Sequence, residues 1–221
     1  MISVAIDGPA GAGKSTLSRK VAKELGYIYV DTGALYRAVG LKFINLGVDT
    51  NLECDIEDIL NKTQIDIRFV DGEQRVFLDG NDVSDEIRTP MASMMASAVS
   101  ARPQVRAFLL EMQRKLAVEN NVVMDGRDIG TVVLPNATVK IYLTASAEAR
   151  AMRRYKELCE KGQQVTFEEV YDDMVKRDHN DMNREIAPLK QAEGAVLADT
   201  SELDFEESFN LLLKIIKEGI N

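Results

Sequence analysis

The stretch from Ile2 to Thr16 constrains this chain more than any other. An apolar, partly β-branched run, Ile2-Ser3-Val4-Ala5-Ile6-Asp7, leads straight into Gly8-Pro9-Ala10-Gly11-Ala12-Gly13-Lys14-Ser15-Thr16. Every fixed position of G-x-x-x-x-G-K-[ST] is filled, and Leu17, Val21 and Leu25 follow at helical spacing. A strand, a glycine loop and a helix in that order make a phosphate-binding loop. Glycines let successive backbone N–H groups turn inward around an anionic oxygen with no Cβ in the way. Lys14 adds a point charge toward the outer phosphates, Ser15 offers a hydroxyl to a magnesium ion, and the helix presents its positive end. Gly8 to Thr16 are therefore the expected nucleoside triphosphate site.

Composition narrows what such a loop can serve. With 221 residues, 45% of them hydrophobic, the chain can build one sizeable core and a small insertion. A net charge of −9 argues against a broad nucleic-acid or anionic-membrane footprint. Any polyanion must be held by a local set of arginines, which fits a small phosphorylated ligand. Cys54 and Cys159 lack C-x-x-C spacing, so no disulfide framework or zinc site is expected and a cytoplasmic setting is. The sole histidine, His179, lies in a polar run and is expected to be exposed. No basic leader and no apolar run near ~20 residues is present, so neither a secretory signal nor a membrane span is expected.

Along the chain the pattern alternates strand and helix, which predicts a parallel α/β sheet with its site at the carboxyl ends of the strands. Tyr27 to Val30, Val122 to Met124, Val139 to Leu143 and Ala195 to Ala198 join the first strand to make five. A helix carrying Leu35, Val39, Phe43 and Leu46 follows Asp31-Thr32-Gly33. From Ile65 the period changes to two: Ile65, Ile67 and Phe69, a turn at Asp71-Gly72, then Val76 and Leu78, and Asp79 to Val83. That is an antiparallel meander inserted in an α/β chain. Met91, Met94 and Met95 in the following helix are expected as core filler. Ser146 should cap a helix broken by Gly162, Thr166 and Glu169 form a capping box for the next, and a last helix should bury Phe205, Phe209, Leu212 and Ile216 behind Asp204. The expected organisation is one domain over 1–221: a core of about 1–60 and 120–221, an insertion at about 61–100 and a helical lid at about 148–165.

The loop alone leaves kinases, GTP switches, motor-type ATPases and non-catalytic nucleotide-binding modules open. A GTP switch needs D-x-x-G, and no aspartate here stands three residues before a glycine. Arginines stand where phosphates would lie: Arg37 one turn into the second helix, Arg127 after the third core strand, and Arg177, Asp181 and Arg184 on one helical stripe. Phosphoryl transfer asks for positioning and positive charge rather than covalent chemistry. Arg150, Arg153 and Arg154 read either as a mobile lid or as a surface charge cluster. A phosphate acceptor is already largely dianionic at pH 7 and needs no general base. An alcohol acceptor would need a carboxylate, for which Asp31, Asp125 and Asp128 are candidates.

Taken together, Gly8 to Thr16, Asp31-Thr32-Gly33-Ala34-Leu35-Tyr36-Arg37, Asp125-Gly126-Arg127-Asp128-Ile129-Gly130-Thr131-Val132-Val133 and Arg177 to Arg184 closely resemble the bacterial cytidylate kinases, with the meander matching that family's three-stranded insertion. The resemblance implies a P-loop kinase fold and transfer of the γ-phosphate of ATP to CMP or dCMP with Mg²⁺, the ion held by Ser15. It implies that Ser97, Arg106 and Asp128 read the cytosine edge, that Arg37, Arg127 and Arg184 hold the acceptor phosphate, and that Arg177 with Asp181 sits near the ribose. Thr32, Tyr36 and Gly126 fall in the same acceptor blocks, and Lys14, Arg127, Arg150 and Arg154 are the implied catalytic cations. Cytosine offers N4–H as donor and N3 and O2 as acceptors, so a carboxylate beside a guanidinium complements it. A monomer with no nucleic-acid or membrane partner is expected.

Overall fold

The computed structural model describes residues 1–48, 56–70 and 73–220. Strand β1 (Ser3–Asp7) enters the loop and helix α1 (Lys14–Leu25). Strand β2 (Ile28–Asp31) and helix α2 (Thr32–Asn45) follow, then α3 (Ile56–Asn61), the strands β3 (Ile65–Val70), β4 (Glu73–Leu78) and β5 (Asn81–Asp82), and helices α4 (Pro90–Ser100) and α5 (Pro103–Glu119). Strand β6 (Val122–Gly126), a π-helical turn (Ile129–Val133), β7 (Val139–Thr144), α6 (Ala147–Glu160), α7 (Phe167–Asn183), β8 (Val196–Asp199) and α8 (Phe205–Ile220) complete the described chain.

The five core strands form one sheet in the order β2-β6-β1-β7-β8, and every neighbouring pair is parallel. β1 is central because Val4, Ala5 and Ile6 are fully buried and can face helices on both sides. Val4 and Ile6 point to the layer that holds α1 and α8, where Leu17, Val21, Leu212 and Ile216 pack. Ala5 points to the other layer with Val30, Met124 and Ala117. The chain lays β6 on one side of β1 and β7 on the other, so the strand order reverses there. A crevice opens at the carboxyl ends of strands flanking such a reversal, and the glycine loop sits in it.

The meander is present as a separate antiparallel sheet, β3-β4-β5, with Ile65 opposite Leu78 and Ile67 opposite Val76. Its apolar face joins α2, α4 and α5 in a second core that includes Leu35, Val39, Phe43, Ile65, Val76 and Leu109. The expected Asp71-Gly72 turn and Cys54 lie outside the described residues. Cys159 is an exposed free thiol.

Caps form where the sequence placed them. Ser146 accepts from the Ala149 amide at 3.1 Å, Thr166 and Glu169 close a reciprocal box, and Asp204 accepts from the Glu207 amide at 2.8 Å. Four apolar assignments need correction. Met91 and Met94 are exposed and only Met95 packs on the core, because α4 lays a single face on α2. Leu46 is exposed because the helix ends at Asn45 and leaves it as the cap. Phe205 is half exposed at the first turn of α8, where the Lys20 ammonium covers its ring at 4.8 Å.

Candidate active site

Close backbone packing makes the loop possible. A Cβ on Gly8 would stand 1.9 Å from the Leu143 carbonyl oxygen, so only glycine lets β1 turn out beside β7. Gly11 and Gly13 take positive φ, and Gly13 opens α1. Lys14 is buried and its Nζ donates to the Pro9 carbonyl at 2.6 Å, curling the side chain back over the loop. Burial first, and the Arg127 guanidinium second, press the Lys14 ammonium down to about 7, with Asp125, Asp181 and Asp7 opposing. The two cations thus share one crevice, although 113 residues of sequence separate them.

Two buried carboxylates close the strand ends. Asp125 accepts from Ser15 Oγ at 2.9 Å and from the Tyr29 hydroxyl at 3.1 Å. Burial, helped by the negative charge of Asp31, raises it to about 6. Asp7 accepts from the amides of Ile129 and Gly130, each at 2.7 Å, and so ties the end of β1 to the turn behind Arg127 and Asp128. Burial lifts Asp7 to about 6 even against those two amides. Ser15 and Asp125 offer a hydroxyl and a carboxylate, the hard oxygen donors that suit Mg²⁺. Among the described residues no three carboxylate, histidine or cysteine side chains cluster into a metal cage. A donor pair that leaves the other positions to phosphate and water fits magnesium.

Beyond the loop lies an alternating string of charges. Arg106 pairs with Asp128, Asp128 also meets Arg184 at 3.5 Å, Arg184 meets Asp181 at 4.0 Å, and Asp181 binds Arg127 Nε at 2.7 Å. Burial raises the Asp128 carboxyl, against the pull of Arg106, Arg184 and Arg127. Burial lowers Arg184; burial is also the largest single influence on Arg127, but the carboxylates of Asp181, Asp125 and Asp178 together raise it. Tyr36 lies under the Arg106 guanidinium, 5.6 Å from ring centroid to Cζ. Thr32 donates to the Asp125 carbonyl at 2.8 Å, and a Cβ on Gly126 would stand 2.8 Å from its hydroxyl. Asp31 caps α2 through the Ala34 amide and pairs with Arg37 at 2.8 Å, while the buried Arg37 Nε has no hydrogen-bond partner.

The three arginines of α6 take three directions. Arg150 is buried, donates to the carbonyls of Ala145 and Ala10, and pairs with Asp178 at 2.7 Å, fastening α6 and α7 to the glycine loop. Arg153 donates to the Thr200 carbonyl at 2.5 Å, on the side of β8. Arg154 is half-buried and pairs with Glu157. The structure therefore brings Arg150 to the loop and leaves the other two apart from it.

Two residues expected on the acceptor side stand outside the charge string. The Arg177 partner is Asp173 at 3.7 Å on an exposed face, because the inward face of α7 runs through Met174, Asp178 and Asp181 instead. Ser97 is exposed one turn before Ser100, and it is Ser100 whose carbonyl accepts from Arg106 and whose hydroxyl lies 3.4 Å from Arg184. Asp7, Tyr29, Ser100 and Asp178 carry contacts that the motif reading did not assign. Asp7 alone had a local signal, as the last strand residue before Gly8.

Comparison with known proteins identifies the family. A family model for cytidylate kinase matches residues 4–218. A cytidylate kinase of Caldicellulosiruptor bescii is 53% identical over 214 residues, covering 97% of this chain and 95% of its own. Those of Carboxydothermus hydrogenoformans and Pediococcus pentosaceus are 52% and 48% identical, covering 96% and 98% of this chain and 96% of each of theirs. A solved structure of an uncharacterised protein from Eubacterium ventriosum shares the fold, with a TM-score of 0.55 at 11% identity over 98% of this chain and 99% of that one. A match that runs through the glycine loop, the inserted sheet and the arginine-bearing helices alike places this chain in the cytidylate kinase family.

Proposed function

We propose that the protein transfers the γ-phosphate of ATP to CMP and dCMP, giving ADP and CDP or dCDP. An oxygen of the acceptor phosphate attacks the γ-phosphorus in line, the bond to the β–γ bridging oxygen breaks, and ADP leaves with that electron pair. No proton has to be removed first, because the acceptor phosphate is largely dianionic at neutral pH. The residues from Gly8 to Thr16 bind the donor phosphates, and Lys14 holds charge on their outer oxygens. Arg127, beside Lys14, spans donor and acceptor phosphates; Arg37 and Arg184 hold the acceptor phosphate, with Thr32, Tyr36 and Gly126 shaping its floor. Arg106 and Asp128 read the cytosine edge and Asp181 serves the ribose; Ser97 and Arg177, both outside the charge string in the free protein, would join them only on rearrangement around the nucleotide. Arg150 supplies a lid cation at the loop, and Arg154, paired with Glu157 in the free protein, would join it over the transferring group only on release from that partner.

Ser15 and Asp125 would hold Mg²⁺, which when bound neutralises phosphate charge and orients the donor. Tyr29 keeps the Asp125 carboxylate turned toward Ser15. The reading divides the chain into a core of about 1–60 and 120–221, an acceptor-binding insertion at about 61–100 and a lid at about 148–165. It makes the protein a cytoplasmic monomer that works without nucleic acid or membrane. Its net charge of −9 supports this, and no described helix is long and apolar enough to cross a bilayer.

The observation that carries the proposal is the string Arg106–Asp128–Arg184–Asp181–Arg127, which ends beside Lys14. The test is coupled ADP release with Mg-ATP and a panel of CMP, dCMP, UMP, AMP and a small hydroxy acid. CMP and dCMP should support turnover far above the others. ATP binding with no acceptor-dependent ADP would instead make the protein a binding module, and turnover on the hydroxy acid would make it a different kinase.

A further inference from the structure

Strand β2 is the outer strand of the parallel sheet, so the outward backbone groups of its last residue, Asp31, have no strand to pair with. The side chain of Gln74, on β4 of the inserted sheet, takes that place. Its Oε1 accepts from the Asp31 amide at 2.9 Å and its Nε2 donates to the Asp31 carbonyl at 3.3 Å. A carboxamide paired with both backbone groups of one residue fixes that residue in the manner of an added strand.

What it fixes is the residue on which Arg37 rests. The Asp31 carboxylate divides between the Ala34 amide at the start of α2 and Arg37 Nη2. Among the described residues Arg37 has no second acidic partner, and its buried Nε is left without a bond. A partly open cavity of about 20 Å³ beside it, lined by Arg19, Asp31, Arg37, Gln74, Ser84 and Arg88, has room for about one water. Arg19 of α1, which lines the same cavity, meets Glu73 of β4 at 3.4 Å, but both are exposed. The Gln74 pair is thus the part-buried fastening at this point between the inserted sheet and the strand end that carries Asp31.

We infer that Gln74 is a positioning residue for the acceptor phosphate: it holds Asp31, Asp31 holds Arg37, and the placement of the inserted sheet therefore sets acceptor affinity while leaving the donor site alone. The inference rests on the proposed role of Arg37, and the experiment separates the two. KM for CMP and for ATP are measured for Gln74→Leu, Arg37→Ala and the double variant, with Gln74→Met as a second substitution of similar length that lacks both bonds. Gln74→Leu should raise KM for CMP about five- to tenfold, as expected for two neutral hydrogen bonds, with KM for ATP within about twofold. In the Arg37→Ala background it should add less than about twofold, because the path it acts through is gone. An equal rise in both KM values, or an undiminished effect without Arg37, would make Gln74 a general fold contact and overturn the inference. If Arg37→Ala raises KM for CMP and neither Gln74 variant does, the inference alone falls. If Arg37→Ala leaves KM for CMP unchanged, the acceptor role of Arg37 falls and takes the inference with it.

Discussion

Among the described residues no carboxylate lies within hydrogen-bond reach of Lys14; its ammonium rests on the Pro9 carbonyl, within electrostatic reach of Arg127. Held near 7 in the free protein, it should be mostly neutral at pH 8. A polyphosphate in the cradle favours the charged form, so binding at pH 8 should take up a proton. Calorimetry of ADP binding in buffers of different ionisation enthalpy measures this: uptake approaching one proton is expected, lost in Lys14→Met. Release, or no exchange, would contradict the environment described for Lys14. Asp128 makes a second residue-scale case. Asp128→Asn keeps the shape but offers an N–H where cytosine offers its own. The preference for CMP over UMP in kcat/KM should fall by roughly tenfold or more, as for ~1 to 3 kcal/mol of mispairing. The motif residues were legible because backbone and side-chain chemistry at the loop is local. Gln74, Ser100 and Tyr29 were not, since each meets its partner across dozens of residues of sequence and has no spacing to announce it.

Elements were easier to read than their faces. The helix over Phe167–Asn183 follows from its capping box, but the expected stripe does not hold: Arg177 faces outward, and Arg184 lies past the helix end as its extended cap. Spacing gives the angle between residues and leaves the phase open. The phase is set by Met174 and Val170 packing on Ala151, and by Asp178 and Asp181 answering Arg150 and Arg127. Thr166→Ala removes the exposed cap of this helix and should cost about 1 kcal/mol, lowering Tm by about 2 to 4 °C with activity retained. Gly8→Ala belongs to the same scale and should be far worse. Its methyl group meets the Leu143 backbone oxygen, which no rotamer can relieve, so thermal denaturation should find the variant unfolded or severely destabilised. A cooperative transition within a few degrees of the wild-type Tm would contradict the packing of β1 against β7.

At the scale of the whole molecule, five parallel strands, the inserted sheet and their order in the chain were readable from alternating period. The spatial order β2-β6-β1-β7-β8 was not, because pairing of distant strands leaves no mark in local pattern. That order brings Asp7, Asp125 and the loop to one crevice and sets Arg127 within electrostatic reach of Lys14. The central claim is that donor and acceptor phosphates lie end to end across this crevice, between the glycine cradle and the arginine string. A compound joining adenosine to cytidine through five phosphates tests it most directly, titrated against the protein beside ATP and CMP. Joined ligands that occupy both sites at once should bind about 10² to 10⁴ times more tightly than ATP alone and displace both nucleotides. Binding within a few-fold of ATP, with CMP still able to bind, would show that the two sites do not meet.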